Sequence, residues 1–254
     1  MDVILDKKIA IVTGASSGIG QEFVKQLNDC TKTLDEIWVI ARRREKLEEL
    51  RIQLKNSIIK VLPLDLCEET DIEVFRSLLQ LEQPRVRILI NAAGMGKVGY
   101  FENVLEEDIE KMVKLNNMVL TTVTKIVLPY MKAKANVIQM SSASAFFPQK
   151  DFAVYAASKA FVLSFSRALH TELKSKGIIV TAVCPGPVNT EFLTIANDGK
   201  KQKALKRLVT VSPKVVVERA LRDAKAGKDI SVYGLPMKTV HVLSKIVPQR
   251  IVIH

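Results

Sequence analysis

The sequence predicts a doubly wound, three-layer α/β fold with a mainly parallel sheet of about seven strands. Three observations carry this. Short runs rich in β-branched residues alternate with longer stretches of helical period. The short runs are apolar almost throughout, as strands covered on both faces must be. Glycine, serine, asparagine and proline collect just after the strand ends, where an open α/β sheet binds its ligands.

The elements run in order. KIAIVTG (8–14) precedes the helical stretch IGQEFVKQLND (19–29), EIWVIAR (36–42) precedes REKLEELRIQLK (44–55), and SIIKVLPLD (57–65) precedes ETDIEVFRSLLQLE (69–82). VRILINAAG (86–94) leads through a loop to a long helical region at about 106–132. NVIQMSS (136–142) comes before the helix 155–177, which IIVTAVCPG (178–186) succeeds; after the helix 212–228, DISVYG (229–234) supplies the last strand. With no internal repeat or linker, the 254 residues read as one domain, with a substrate lid at about 187–210 and a basic apolar tail at about 235–254.

Composition narrows the functional classes. Hydrophobic residues at 48% and charged residues at 26% suit a globular chain and not a disordered one. The net charge of +11 fits nucleic acid, a membrane surface or phosphorylated small molecules alike. Nucleic acid ranks last, because no cationic stripe carries interleaved aromatics. The three cysteines, Cys30, Cys67 and Cys184, and the three histidines are scattered, which predicts neither a disulfide framework nor a metal site. Charges interrupt the apolar run of MDVILDKKIAIVTG and no apolar segment reaches ~18 residues, so neither a signal peptide nor a membrane span is read, and the expected location is cytoplasmic.

The strand ends carry the chemistry. In TGASSGIG, Gly14, Gly18 and Gly20 lack side chains where a turn is tight and a ligand or the sheet approaches closely. The helix opening near Gly18 offers unpaired N–H groups to an anion, and Ser16 and Ser17 can cap it or donate to a phosphate. The second strand ends in ARRRE, with arginines where dinucleotide folds carry either an acid for the ribose hydroxyls or an arginine for a 2′-phosphate. Cations at a helix start oppose its dipole, so Arg42 and Arg43 read either as a preference for NADP(H), with Arg42 the foremost phosphate contact, or as a solvated charge run. Asp65 is open to two readings, acceptor for the adenine amino group or cap of the next helix. Asn91 and Gly94 in NAAG let backbone pass beside a ligand. In CPGPVNT, Gly186 permits close approach and Thr190 caps the next segment. In YAASK, Tyr155 and Lys159 share one helix face, so a lysine charge is placed to favour the phenolate of a group with an ordinary pKa of about 10.

Together TGASSGIG, NAAG, Asn116 within KLNNMVLTTVTKIVLPYM, Ser142 in MSSAS, YAASK and PGPVNT resemble the short-chain dehydrogenase/reductase family from about Lys7 to Thr190, in order and at suitable spacings. The resemblance implies a Rossmann domain and an oxidoreductase that interconverts a carbonyl and a secondary alcohol by direct hydride transfer, with no metal. It implies that Tyr155 is the acid or base. Lys159 would lower the Tyr155 pKa and hold the nicotinamide ribose, and Ser142 would bind the substrate oxygen. Asn116 would support a water that links Lys159 to solvent. Cofactor contacts would come from Gly14, Ser16, Ser17, Gly18, Ile19 and Gly20, from Arg42, Arg43, Asp65 and Leu66, and from Asn91, Ala92, Ala93 and Gly94. Tyr155, Lys159, Pro185, Gly186, Val188 and Thr190 complete that set, with Val188 and Thr190 meeting the carboxamide. NAAG replaces the commoner doubled asparagine. No basic residue stands at Ser17, so cofactor preference rests on Arg42 and its neighbours.

On the substrate side, Phe146, Phe147, Phe152, Phe192 and Leu193 either line an apolar pocket for a bulky ketone or alcohol (a steroid or acyl compound) or belong to the core or a subunit contact. The run KKQKALKRL (200–208) is a solvated amphipathic lid or an attractor of an anionic substrate or membrane surface. The tail covers the pocket, packs on another subunit or lies on lipid. A homodimer or homotetramer is the family's usual state. The competing functional class is a non-catalytic NADP(H)-binding sensor, which would not need Tyr155 and Lys159 together.

Overall fold

A computed structural model describes residues 7–30, 34–196 and 210–247. The strands are β1 (Lys8–Thr13), β2 (Glu36–Ile40), β3 (Ile58–Leu62), β4 (Arg85–Asn91), β5 (Met131–Met140), β6 (Ile179–Val183) and β7 (Ile230–Ser231). They form one sheet in the order β3-β2-β1-β4-β5-β6-β7, every neighbouring pair parallel. The order reverses beside β1, and the registers Thr13↔Asn91, Asn91↔Gln139 and Met140↔Val183 bring the strand ends of four motifs to one edge. That edge is where a parallel sheet opens a crevice.

The connecting helices are α1 (Gly18–Cys30), α2 (Arg44–Gln53), α3 (Glu69–Glu82), α4 (Glu106–Val113), α5 (Leu120–Val127), α6 (Ala153–Leu173), α7 (Glu191–Ala196), α8 (Pro213–Lys225) and α9 (Leu235–Ile246). The alternation of a buried strand sets the layers. Ile9 and Ile11 of β1 join one core with Phe75 of α3, Val123 of α5 and Leu169 of α6. Ala10 and Val12 join the other with Phe23 of α1, Leu47 of α2 and Val217 of α8.

Three elements differ from the sequence reading. The helical region expected to reach 132 ends in a tight turn, Leu128–Tyr130, and β5 begins at Met131 and not at 136. Pro129 has no N–H to continue the helical ladder and restrains the residue before it, so the chain leaves the helix there. Between α4 and α5 the helix widens into a π-turn, Lys114–Val119, which holds Asn116. The tail forms α9, entered through Gly234 at φ +81° and Pro236 in the first turn. The cationic run 200–208, the lid beyond Ala196 and tail residues 248–254 lie outside the described residues.

Candidate active site

The glycine-rich turn is built around two residues in the left-handed region, Gly14 at φ +68° and Gly18 at φ +56°. A methyl on Gly14 would lie 2.6 Å from Ala93 N and 2.8 Å from the Ala92 carbonyl carbon, so the first and fourth strand-end motifs interlock through that missing side chain. Ala93 N also donates to Thr13 Oγ1 at 3.1 Å. Gly18 faces Thr190, whose side chain would be 3.2 Å from an added methyl, and Gly20 presses on the Gly14 carbonyl. The first bond of α1 runs from Gln21 N to Ser17 O. The amides of Gly18, Ile19 and Gly20 therefore precede the ladder, as an anion site at a helix start requires.

The arginines behind this turn divide. Arg43 donates to Ser16 Oγ at 3.1 and 3.3 Å and forms a two-pronged pair with Glu191, both bonds 2.9 Å. That partner holds Glu191 below the usual carboxylate range, helped by a hydrogen bond with Ser17. Arg42 keeps 76% of its side chain exposed and only approaches Asp65, at 3.7 Å. Asp65 Oδ1 accepts from Cys67 N at 3.0 Å, a bond inside the turn before α3; the N-cap of α3 is Glu68, so Asp65 does not cap that helix. Leu66 is buried, and the buried Asn91 carboxamide donates to Thr124 and Gln139. On the sixth strand-end loop, Pro185 O accepts from Ala143 N at 2.9 Å, Val188 pairs with Val211, and the Thr190 hydroxyl donates to Val188 O at 3.4 Å.

Asn116, Ser142, Tyr155 and Lys159 come together beyond β4 and β5, all buried. The Asn116 carboxamide accepts from Met95 N and donates to Met95 O, both at 2.9 Å, and also donates to Ser158 Oγ at 3.0 Å. Ser158 donates in turn to Tyr155 O at 2.7 Å, which ties the π-turn to α6. Lys159 Nζ donates to Met140 O at 2.9 Å, 5.6 Å from the centre of the Tyr155 ring. Around Gly94 an added methyl would lie 3.1 Å from Asn116 Oδ1 and 3.4 Å from Lys159 Nζ, so both groups line one space. Ser142 leaves β5 in extended backbone and accepts from Ser144 N at 3.1 Å.

Burial decides the ionisation here. The Tyr155 hydroxyl is pushed up to about 12, and the opposing influence is a hydrogen bond with Ser142, not the charge of Lys159. Burial outweighs any lowering of the resting phenol, and the Lys159 ammonium donates to Met140 O. Burial pushes Lys159 down to about 8. At neutral pH the pair is a protonated phenol beside an ammonium, a proton donor with a neighbouring positive charge.

The aromatics separate into two groups. Phe152 stacks on Tyr155 at 4.2 Å and Phe192 of α7 tilts against it at 5.6 Å, so these two flank the Tyr155 ring. Phe146 is buried in a small core with Cys184 and Val232 and stacks on His241 of α9 at 4.7 Å; Phe147 packs against that core from the edge. Met237 of α9 closes on Gly186, 2.8 Å from a methyl built there. Four contributors carry no distinct signal in the sequence. Ser158 meets Asn116 from 42 residues away and Glu191 meets Arg43 from 148, separations that leave no local pattern. Gly96, whose added methyl would meet Phe192 at 2.8 Å and Tyr155 at 3.0 Å, lacks a repeating motif. Met237 belongs to a tail whose pattern is only apolar and basic.

A parallel sheet whose switch point gathers a buried Tyr, Lys, Ser and Asn has the crevice of a dinucleotide-binding fold. The profile of the short chain dehydrogenases matches residues 8–201, and the chain belongs to that family. It is 37% identical over 196 residues to the very-long-chain 3-oxoacyl-CoA reductase of Anas platyrhynchos, covering 74% of this chain but only 62% of the relative's length. Among solved structures it resembles a short-chain dehydrogenase from Sphingobium yanoikuyae in complex with NADPH, with a TM-score of 0.80, 25% identity and coverage of 96% and 95% of the two chains. It also resembles the closed form of a serine dehydrogenase complexed with NADP+, with a TM-score of 0.78, 30% identity and coverage of 89% and 94%.

Proposed function

We propose that this oxidoreductase uses NADP(H) to interconvert a carbonyl and a secondary alcohol on a bulky hydrophobic substrate. The observation that carries the reading is the Tyr155 hydroxyl, buried, protonated at neutral pH and hydrogen-bonded to Ser142. The residues present fit a dinucleotide: the Gly14–Gly20 turn opens a helix end, the space beside Gly94 is lined by Asn116 and Lys159, and Arg42 stands exposed at the second strand end. Of the two arginines, Arg42 is the one free to take a 2′-phosphate, since Glu191 already neutralises Arg43. The complexes of the two structural relatives with NADPH and NADP+ support the same choice.

When bound, the nicotinamide supplies or accepts the hydride. The protein manages the oxygen and the proton. Ser142 donates to the substrate oxygen and steadies the charge that develops there. Tyr155 delivers its proton to that oxygen in reduction and takes it back in oxidation. Lys159 stabilises the phenolate left behind, and Asn116 positions the Met95 backbone and α6 around the site. Phe152, Phe192 and Gly96 shape an apolar wall beside Tyr155 that suits a steroid, an acyl chain or another bulky ketone. The acyl-CoA reductase relative favours including 3-oxoacyl thioesters among the candidates. Exposed Val113, Met118 and Phe161, on α4, the π-turn and α6, support a helix-paired homodimer.

The test is NADPH oxidation, followed at 340 nm, against steroids, 3-oxoacyl thioesters and small ketones. Tyr155→Phe is expected to abolish turnover and leave NADPH affinity nearly unchanged. Undiminished turnover in that variant overturns the mechanism, and a flat response across the whole panel returns the sensor reading.

A further inference from the structure

The helix α9 carries three different faces. Taking about 100° per residue, Leu235, Val242 and Ile246 fall within roughly 40° of one another, and Lys238, His241 and Lys245 occupy an adjoining arc of roughly 60°. The apolar three are exposed at 79%, 55% and 73%. The opposite face holds the helix to the body through Met237 and Val240, which pack on the core of Phe146, Cys184 and Val232. The exposed apolar stripe is therefore not a strained or misplaced core face; the core face is already used.

Beside the cationic arc lies a cleft of about 370 Å³ between α9, α6 and α8. Five cations line it, Arg167, Arg219, Lys228, Lys238 and Lys245, against two carboxylates, Asp223 and Asp229. The carboxylates are spent on their neighbours. Asp223 accepts from Arg219, Lys228 and Ser231, and Asp229 from Arg167. Lys238 and Lys245 have no carboxylate partner among the described residues. His241 is held below its ordinary range first by burial and then by the charges of Lys245 and Arg167, with Asp229 acting the other way. It stays uncharged at neutral pH, and the surplus belongs to the lysines.

We propose that α9 and this cleft form a docking surface for a bilayer containing anionic phospholipid. One partner presents both complements at once, acidic headgroups for the lysines and an acyl boundary for Leu235, Val242 and Ile246. A second copy of the chain matches poorly, because a two-fold contact sets the same unpaired lysines against each other. The helix has 12 residues and, among the described residues, no helix is long and apolar enough to cross a membrane, so it lies in the interface. Through His241 on Phe146 and Met237 on Gly186, the docked helix is also the backing of the candidate active site. The surface does not depend on the reaction proposed above and is tested without it.

The full-length chain is centrifuged with large vesicles of phosphatidylcholine alone and of phosphatidylcholine with 30% phosphatidylserine, at roughly physiological salt. Binding to the acidic vesicles only is expected. Lys238→Ala/Lys245→Ala weakens it by roughly fivefold per cation removed, and Leu235→Ser/Ile246→Ser weakens it comparably. All four side chains are surface groups, so both variants are expected to fold, which circular dichroism verifies. Three results overturn the proposal: no sedimentation with acidic vesicles; acidic-vesicle binding that inorganic phosphate competes away and the Leu235→Ser/Ile246→Ser variant retains, which marks a soluble-anion site; or concentration-dependent self-association in ultracentrifugation that the same variant abolishes, with no vesicle binding.

Discussion

Arg43 and Glu191 join the two lips of the dinucleotide crevice. The guanidinium rests on Ser16 in the glycine-rich turn and grips, through two bonds of 2.9 Å, a carboxylate on the first residue of α7. A protein carboxylate thus neutralises a cation beside the turn where phosphates are expected, and α7 is fastened to that turn.

Removing that carboxylate frees the cation. Glu191→Gln is expected to tighten binding of 2′,5′-ADP by about two- to fivefold, in line with the ~0.5–1 kcal/mol ceiling of a half-exposed ion pair, and to move the melting temperature little. Calorimetric titration measures this directly, and 5′-AMP, which lacks the 2′-phosphate, should gain less. Glu191 is held below its ordinary pKa, so the pair is present throughout neutral pH and dissolves only as pH falls through that depressed value.

Arg42 is the complementary case. Its exposed side chain meets only Asp65, at 3.7 Å, so Arg42→Ala is expected to weaken NADPH by about 10-fold or more, the scale of a lost hydrogen bond to a charged group. NADH binding should change little. Fluorescence titration with both cofactors gives the ratio, and equal losses would move the phosphate contact elsewhere.

The buried lysine sets a pH limit. With Lys159 pushed down to about 8, its ammonium is present below that pH and lost above it, while Tyr155 keeps its proton up to about 12. Reduction is therefore expected to fall as pH rises through about 8. Proton linkage keeps unfolding from mimicking this: the unfolded chain binds the extra proton between about 8 and the ordinary lysine range, so this group adds stability as pH rises there. Lys159→Arg, whose guanidinium stays charged, should flatten the falling limb in a pH–rate profile.

Asn116 and Gly96 test how the site is held. Asn116→Ala leaves Met95 N and O and Ser158 without their partner and is expected to cost about 1–3 kcal/mol in urea unfolding. Ser158→Ala, which removes one link of the chain, should cost about 1 kcal/mol. Gly96→Ala sets a methyl 2.8 Å from Phe192 and 3.0 Å from Tyr155, so kcat should fall more than stability does.

Much of this was legible in the chain. The strand runs around Ile9–Val12 and Val137–Met140 are buried on both faces, so their apolar continuity announces a covered parallel sheet. Gly14 and Gly18 stand where left-handed backbone is needed, and Tyr155 and Lys159 share a helix face because four residues make about one turn. Less legible were elements governed by long-range contact. The start of β5 depends on pairing with β4 after Pro129 breaks the helix, and α9 depends on a core supplied by Phe146, Cys184 and Val232.

By itself the sequence determined the alternation of strands and helices, which arises from local periodicity, and its resemblance to the short-chain dehydrogenases named the family and the four clustered residues. Only the tertiary structure decided how those groups are charged and to whom they are bound. The phenol of Tyr155 is raised by burial, Lys159 is engaged by Met140 O, and Arg43 is claimed by a glutamate 148 residues away. Desolvation and ion pairing depend on which atoms surround a group in space, and chain distance carries no record of that.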